Sequence, residues 1–394
     1  MATLPVRVAH IITRMIVGGA QENTLHTCDM LCKRPGWEVL LVTGPPLGPE
    51  GELLSEVQRR GIPHVIVPQM RRDVNPWLDT AALWRLFRIL RRWRPAIVQT
   101  HSSKAGILGR LAARAAGVPI IIHTVEGLPF HRYAPRWTNR LFILAERVAA
   151  PVTDRTVCVA QAMVDQALAA GVRPRGGYCV IRSGMDVDAY LQADRHREAE
   201  RRALGFAPED VVIGKVARLF PLKGHEFVLR AAPRLLARCP RARFLFVGDG
   251  VLRPELEVLA AQLGIADRVV FAGLVPPQRI PAIVAAMDVV VHTSLREGLA
   301  RVLVQALLCE KPVVTYALDG APEVILDGVT GRLVPPESVD ALADAVVWAI
   351  EHPDEARRMA QEGKRRLADR FRIETMVDDT ERLYHELLTL EGLG

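Results

Sequence analysis

The stretch Val289 to Val314, V-V-V-H-T-S-L-R-E-G-L-A-R-V-L-V-Q-A-L-L-C-E-K-P-V-V, leaves a chain of this kind few options. An apolar β-branched run (Val289 to His292) reads as a buried strand, a polar turn carries Glu297, and a helix follows. Leu299, Val302, Leu303, Ala306 and Leu307 recur three and four apart, which gives that helix an inward face. A second buried strand begins after Pro312. Strand, turn, helix, strand with continuous apolar strands is the grammar of a parallel sheet covered on both faces. The helix is expected to start at Glu297 and Gly298, with free N–H groups and the positive end of its dipole facing out of the turn, a setting that suits phosphate. A carboxylate beside an anion site fits a ligand with phosphate at one end and hydroxyls at the other.

The same grammar repeats along the chain. In the first half strands are predicted at Val6–Ile12, Glu38–Val42, His64–Val67, Ile97–His101, Ile120–Thr124 and Arg155–Val159. In the second they are predicted at Val211–Ala217, Arg243–Val247, Val269–Phe271, Val289–His292 and Pro312–Tyr316. With 394 residues, two domains are expected. The reading is α/β, two Rossmann-like doubly wound domains facing across a cleft. The boundaries are 1–188 for the first domain, 189–210 for an arginine-rich linker and 211–372 for the second. Ligands of such sheets bind beyond the carboxyl ends of the strands.

Composition excludes some classes. The apolar share of 49% and charged share of 24% are those of a globular protein. No apolar run approaches the length of a membrane span. The first twelve residues carry Arg7 and His10 inside their apolar run and read as a strand rather than a signal peptide. The six cysteines are scattered, which predicts reduced core residues and a cytoplasmic location. The net charge of +7 draws the chain to anionic phosphate, on a ligand or on a membrane.

Individual segments carry the chemistry. Gly18 and Gly19 follow the first strand and open a helix, yet the G-x-G-x-x-G spacing and the acidic residue of a dinucleotide site are missing, which disfavours a nicotinamide enzyme. Asp79 to Arg94 reads as the most amphipathic helix. Leu83, Leu86, Phe87 and Leu90 form one face and Arg85, Arg88, Arg91 and Arg92 the other: either a solvated basic face or a dock for anionic lipid. His123, Glu126 and His131 are expected together on one loop at a strand's carboxyl end. Asp186 and Asp188 read as turn residues rather than metal ligands. Arg218 and Lys223 follow a buried strand and precede a helix, where two cations call for an anion between them or for solvent.

Taken together, these stretches resemble the retaining glycosyltransferases of family 4, which have the GT-B fold. The pieces are Gly18-Gly19, V-A-R-L-F-P-L-K-G from Val216, F-V-G-D-G from Phe246, F-A-G-L-V-P from Phe271, S-L-R-E-G-L from Ser294 and D-G-A-P-E ending at Glu323. Their order and spacing span nearly the whole chain. The resemblance implies a hexosyltransferase that moves a sugar from a nucleotide-sugar to a hydroxyl of a glycan or lipid-linked acceptor. It implies retention of anomeric configuration, with no metal or cofactor, in cell-surface polysaccharide or glycolipid synthesis. Arg218 and Lys223 would neutralise the diphosphate leaving group, and Gly19 would add a backbone N–H. Glu297 would accept from sugar hydroxyls, while Gly298, Leu299 and Ala300 approach donor phosphate and sugar. The loop of Gly273 and Leu274 lies where the family holds the base. The last helices, from about Ile373, would cross back onto the first domain. Two positions depart from the family pattern. Gln305 stands eight residues after Glu297 where a second glutamate is usual, keeping a carbonyl acceptor without the charge. Glu126 stands where many members have histidine, and could accept a proton from the acceptor or orient it. A nucleotide-sugar epimerase on the same fold, and a non-catalytic binding protein, are the alternatives. The location implied is cytoplasmic, with peripheral attachment to the inner face of the membrane through the 79–94 helix and no nucleic-acid partner.

Overall fold

The computed structural model describes residues 4–47 and 51–393. The chain divides into two compact units, Met1–Gly184 with Ile373–Gly394, and Met185–Arg372.

In the first unit, β1 (Val6–Arg14) is followed by α1 (Gly19–Lys33), β2 (Trp37–Gly44), α2 (Leu54–Arg59) and β3 (His64–Ile66). Then come α3 (Pro76–Trp93), β4 (Ile97–His101), α4 (Ser103–Ala116), β5 (Ile120–Val125) and α5 (Arg136–Ala149), and finally β6 (Arg155–Cys158), α6 (Gln161–Ala169) and β7 (Tyr178–Val180). The seven strands are all parallel in the order β3-β2-β1-β4-β5-β6-β7. Because side chains alternate across a strand, each face of this sheet has its own core. Val8, Ile12, Leu41, Ile97 and Ile122 fill one; Ala9, Ile11, Val42, Val98 and Ile121 pack with α3 and α4 in the other.

The second unit opens with α7 (Val187–Leu191) and α8 (Arg197–Ala203) before β8 (Val211–Val216), α9 (His225–Arg238), β9 (Ala242–Val247), α10 (Arg253–Gln262) and β10 (Val269–Gly273). It continues through α11 (Ile280–Ala286), β11 (Val289–His292), α12 (Arg301–Leu308), β12 (Val313–Tyr316), β13 (Arg332–Val334), α13 (Val339–Glu351) and α14 (Pro353–Leu367). Its six-stranded parallel sheet runs β10-β9-β8-β11-β12-β13. The last helix, α15 (Ile373–Leu390), belongs to the first unit. Val377, Leu383, Tyr384 and Leu387 join the core beside β1 and β2. Glu381 accepts from the Trp37 indole at 2.6 Å and pairs with Arg34.

Three expectations are corrected. The stretch 189–210 is not a linker. It folds as part of the second unit, where Arg197 donates to the Ala285 and Met287 carbonyls (2.6 and 2.8 Å) and Arg201 reaches Asp288 at 3.0 Å. Asp288 also accepts from the Val212 amide, so the arginines that looked like solvated linker fasten these helices to the start of β8. The short edge strands β7 and β13 were not expected from the sequence, whereas β3, equally short, was marked by the run His64–Val67. Cys32 is exposed, and Cys179 and Cys239 are half-buried, so only Cys28, Cys158 and Cys309 are core residues.

Candidate active site

The site of the second unit is assembled where β8 and β11 end. After β8 the chain turns through Leu222 and Gly224, both with positive φ (68° each). A Cβ on Gly224 would lie 2.0 Å from the Thr293 carbonyl oxygen, so glycine is what lets this loop press against the end of β11. Thr293 Oγ1 donates to the Gly224 carbonyl at 2.6 Å, and the Leu295 amide donates to Leu222 at 2.8 Å. These bonds bring Lys223 and Glu297 together: Lys223 Nζ donates to Glu297 Oε1 at 2.6 Å, and His292 Nε2 lies 3.5 Å from the same oxygen.

Glu297 is held from behind by a second motif. Its amide donates to the Asp319 carboxylate at 2.7 Å, and the Gly320 amide donates to the Gly298 carbonyl at 3.1 Å. D-G-A-P-E thus clamps the backbone of R-E-G-L. The glycines of F-V-G-D-G act likewise. A Cβ on Gly250 would lie 2.4 Å from the Leu219 oxygen, and the Leu219 amide donates to the Asp249 carbonyl at 3.0 Å. That contact carries Arg218, which is exposed, its guanidinium 4.9 Å above the Phe220 ring. On β10, Gly273 has φ 69° and its carbonyl accepts from the Gly248 amide, leaving Leu274 exposed beside it.

The electrostatics follow from this packing. Burial alone would raise the Glu297 carboxyl, but Lys223 and His292 outweigh it and hold the group well below the usual carboxylate range. Burial lowers His292 to about 4, with the hydrogen bond to Glu297 opposing. Lys215 was missed in the sequence. It is fully buried on β8, its Nζ has no hydrogen-bond partner among the described residues, and burial lowers it to about 7 while Glu297 pulls the other way. Its signal was a lysine inside the apolar run V-V-I-G-K-V. The cluster is thus a partly exposed ion pair with a buried lysine nearby.

The helix after Glu297 begins later than expected. α12 starts at Arg301 with Ala300 as its N-cap, so Glu297, Gly298 and Leu299 lie in the preceding loop. That loop follows the D-G clamp rather than a helical path. Gln305 is half-buried on α12, one turn from Arg301.

In the first unit the expected residues part company. Gly18 is the N-cap of α1 with extended backbone (φ 171°), and Gly19 is the first helical residue. His123 is not on a loop: it lies within β5, buried, with Nδ1 2.9 Å from Thr100 Oγ1 and its ring against Gly106. Alternation along β5 turns it inward, and burial first, then Arg110, keeps it neutral. His123 is thus separated from the loop of Glu126 and His131 with which it was expected and is closed off from solvent. Glu126 and His131 do sit beyond β5, both half-buried, and Asn139 of α5 braces the loop by bonding the His131 amide (3.0 Å) and carbonyl (2.7 Å). Of the Asp186–Asp188 pair, Asp186 caps α7 through the Ala189 amide and Asp188 takes both guanidinium nitrogens of Arg372 (3.0 and 3.1 Å).

The family described as glycosyl transferases group 1 matches residues 196–366, and the glycosyl transferase 4-like domain matches residues 18–184. A 2-deoxystreptamine glucosyltransferase of Streptomyces kanamyceticus is 30% identical over 320 residues, covering 75% of this chain and 79% of its own. The chain belongs to the group 1, family 4-type glycosyltransferases. Across 97% of both chains, this glycosyltransferase is 26% identical to the UDP-Gal:alpha-D-GlcNAc-diphosphoundecaprenol alpha-1,3-galactosyltransferase of Escherichia coli. The Anabaena protein HepE, solved in complex with UDP-glucose, superposes with a TM-score of 0.81 at 23% identity, over 96% of this chain and 99% of that one. The fold class is GT-B, two Rossmann-like parallel-sheet domains. Among the described residues no helix is long and apolar enough to cross a membrane.

Proposed function

We propose that this glycosyltransferase moves a hexose from a nucleotide-sugar to a hydroxyl of a glycan or lipid-linked acceptor, with retention of configuration and without a metal. The carrying observation is the Lys223–Glu297 pair, 2.6 Å apart and partly exposed beyond β8 and β11. Each group neutralises the other. A sugar diphosphate gives both a better partner: Lys223, with Arg218, meets the phosphate charge, and Glu297 accepts from sugar hydroxyls. As the glycosidic bond breaks, negative charge grows on the diphosphate, and preorganised cations stabilise that state more than the ground state. No general acid need protonate such a leaving group, and the two cations do the work that a metal does elsewhere.

The remaining roles are part of the same reading. Gly18 and Gly19 present the start of α1, with Gly19 giving an N–H to the diphosphate. The amides of Gly298, Leu299 and Ala300 approach phosphate and sugar. Gln305 accepts from the ribose with an amide carbonyl, and Gly273 and Leu274 line the base. Glu126, with His131 beside it on the same loop, orients the acceptor hydroxyl.

The lipid-linked acceptor draws support from the name of the Escherichia coli relative, and the nucleotide-sugar from HepE's ligand. The arginine-rich face of α3 adds attraction towards an anionic inner membrane surface. Incubating the chain with a panel of nucleotide-sugars and a lipid-diphosphate-linked sugar tests the reading. Free nucleotide must appear together with a glycosylated acceptor whose anomeric proton coupling matches the donor's. Isomerised donor without acceptor would instead mark an epimerase.

A further inference from the structure

The sequence pointed to α3 as the membrane-facing helix, but α5 is the more sharply divided one. Its inner side is fixed by the buried ion pair Glu146–Arg110 (2.7 Å) and by Asn139, which braces the loop of Glu126 and His131. Glu146 is the only acid of the helix. On the outer side, Trp137, Leu141, Leu144 and Val148 are 67%, 57%, 58% and 59% exposed. Their spacing of four, three and four residues places them in one row. Arg136, Arg140 and Arg147 are also exposed and fall at the same spacing, one residue before Trp137, Leu141 and Val148, forming a second row along one border of the first. In that row Arg147 donates to the Ala170 carbonyl (2.9 and 2.6 Å), and Arg136 and Arg140 carry the charge offered to a partner. By contrast α3 buries Ala82, Leu86 and Leu90, and its exposed large apolar side chains are Trp77 and Trp84, amid arginines.

Four large apolar side chains aligned in water are costly unless something covers them. We propose that α5 docks on the surface of an anionic lipid bilayer, its apolar row entering the headgroup–acyl boundary and its arginine row meeting lipid phosphates. Charge complementarity selects this occupant. An apolar row edged by cations, with no exposed acid on the helix, matches a surface that is negative outside and apolar just beneath. A second copy of the chain would oppose arginine row to arginine row or leave both uncovered. Place reinforces charge. The loop that enters α5 carries Glu126 and His131, so docking brings the bilayer next to the residues assigned to the acceptor, and a lipid-linked acceptor reaches them without leaving the membrane. This deepens the transferase reading, but vesicle binding is measured without donor or acceptor, so either can fail alone.

The test is co-sedimentation of the full chain with sucrose-loaded vesicles of phosphatidylcholine alone or with three parts in ten phosphatidylglycerol. The wild type should pellet with the anionic vesicles and stay in solution with the neutral ones. Leu141→Ser/Leu144→Ser should bind at least about tenfold more weakly, because the apolar row supplies the insertion. Arg136→Glu/Arg140→Glu should lose binding at low salt, and Arg88→Glu/Arg92→Glu on α3 should change it less than either. All these positions are exposed, and an unchanged melting temperature checks that each variant folds. Wild-type levels of pelleting by the Leu141/Leu144 variant would overturn the proposal, as would a wild type that ignores anionic vesicles. A wild-type dimer in sedimentation velocity that dissociates in the Leu141/Leu144 variant would also overturn it, by showing a second copy on this face.

Discussion

The carboxyl ends of the two sheets are built alike and filled oppositely. In the second unit they hold ions: Lys223 on Glu297, His292 against the same carboxylate, Lys215 buried below. In the first unit the central strands hold histidines kept neutral. His10 Nδ1 lies 3.1 Å from His101 Nε2, Tyr384 Oη lies 3.3 Å from His10 Nε2, and Gln99 donates to Thr124 at 2.7 Å while accepting from Tyr384. Burial lowers His10 to about 4 and holds His101 well below its ordinary value, the latter helped by His10. One frame thus supports two kinds of polar interior. The first pins α15 to the sheet through a chain of hydrogen bonds, and the second holds a carboxylate paired with one amine above a second, buried amine. The clustered charges lie in the second unit, and the neutral buried histidines in the first.

That contrast can be broken at several points. The largest effect is expected at Glu297. Glu297→Gln keeps shape and loses charge, and should lower kcat/KM by about 10²–10³-fold, as for the loss of one preorganised transition-state contact. It should also lower the melting temperature modestly, because the depressed carboxyl pKa means that the ionised group stabilises the fold. The wild-type carboxylate stays ionised throughout the neutral range, so no loss of activity between pH 9 and 6 should trace to it.

A smaller effect of opposite sign is expected at Lys215. Its pKa falls on folding from 10.5 to about 7, so between those values the unfolded chain holds a proton that the folded chain has released. Stability therefore rises with pH across that window. Lys215→Met removes the buried ammonium and should stabilise the chain at pH 7 by on the order of a few kcal/mol. It should also flatten the dependence of melting temperature on pH between 7 and 10. A destabilised variant would mean that Lys215 is a structural partner rather than a strained charge.

The smallest is in the first unit. Tyr384→Phe deletes the hydroxyl that joins His10 and Gln99 and should cost about 1–3 kcal/mol, because it leaves the buried Gln99 carbonyl and the His10 Nε2–H without their partner. Catalysis by the folded enzyme should be unchanged. A loss of kcat without a loss of stability would erase the distinction between the two interiors.

Much of this was legible in the chain itself. Long apolar strands separated by helical spacing gave the parallel sheets, because burial on both faces leaves no polar alternation to confuse them. Glu297, Lys223 and Arg218 were visible as charges at strand ends. What stayed hidden depends on partners far away in sequence. That Asp319 grips the Glu297 amide is a contact across 22 residues. Arg201 looked like linker until Asp288 was beside it. His123 looked like a loop residue because the apolar run stops at Ile122, whereas β5 continues to Val125. The outer row of α5 was overlooked because its apolar residues resemble a core-facing stripe, and only burial tells which side of a helix meets water.

The central claim is that the second unit receives a diphosphate on the cation that Glu297 now neutralises. Calorimetric titration of the wild type and of Lys223→Met with UDP, GDP, ADP and TDP tests it most directly. The account predicts that one of these nucleotides binds the wild type, with affinity falling at high salt, and binds the variant at least about tenfold more weakly. Equal affinity for wild type and variant, or no binding of any nucleoside diphosphate, would contradict it.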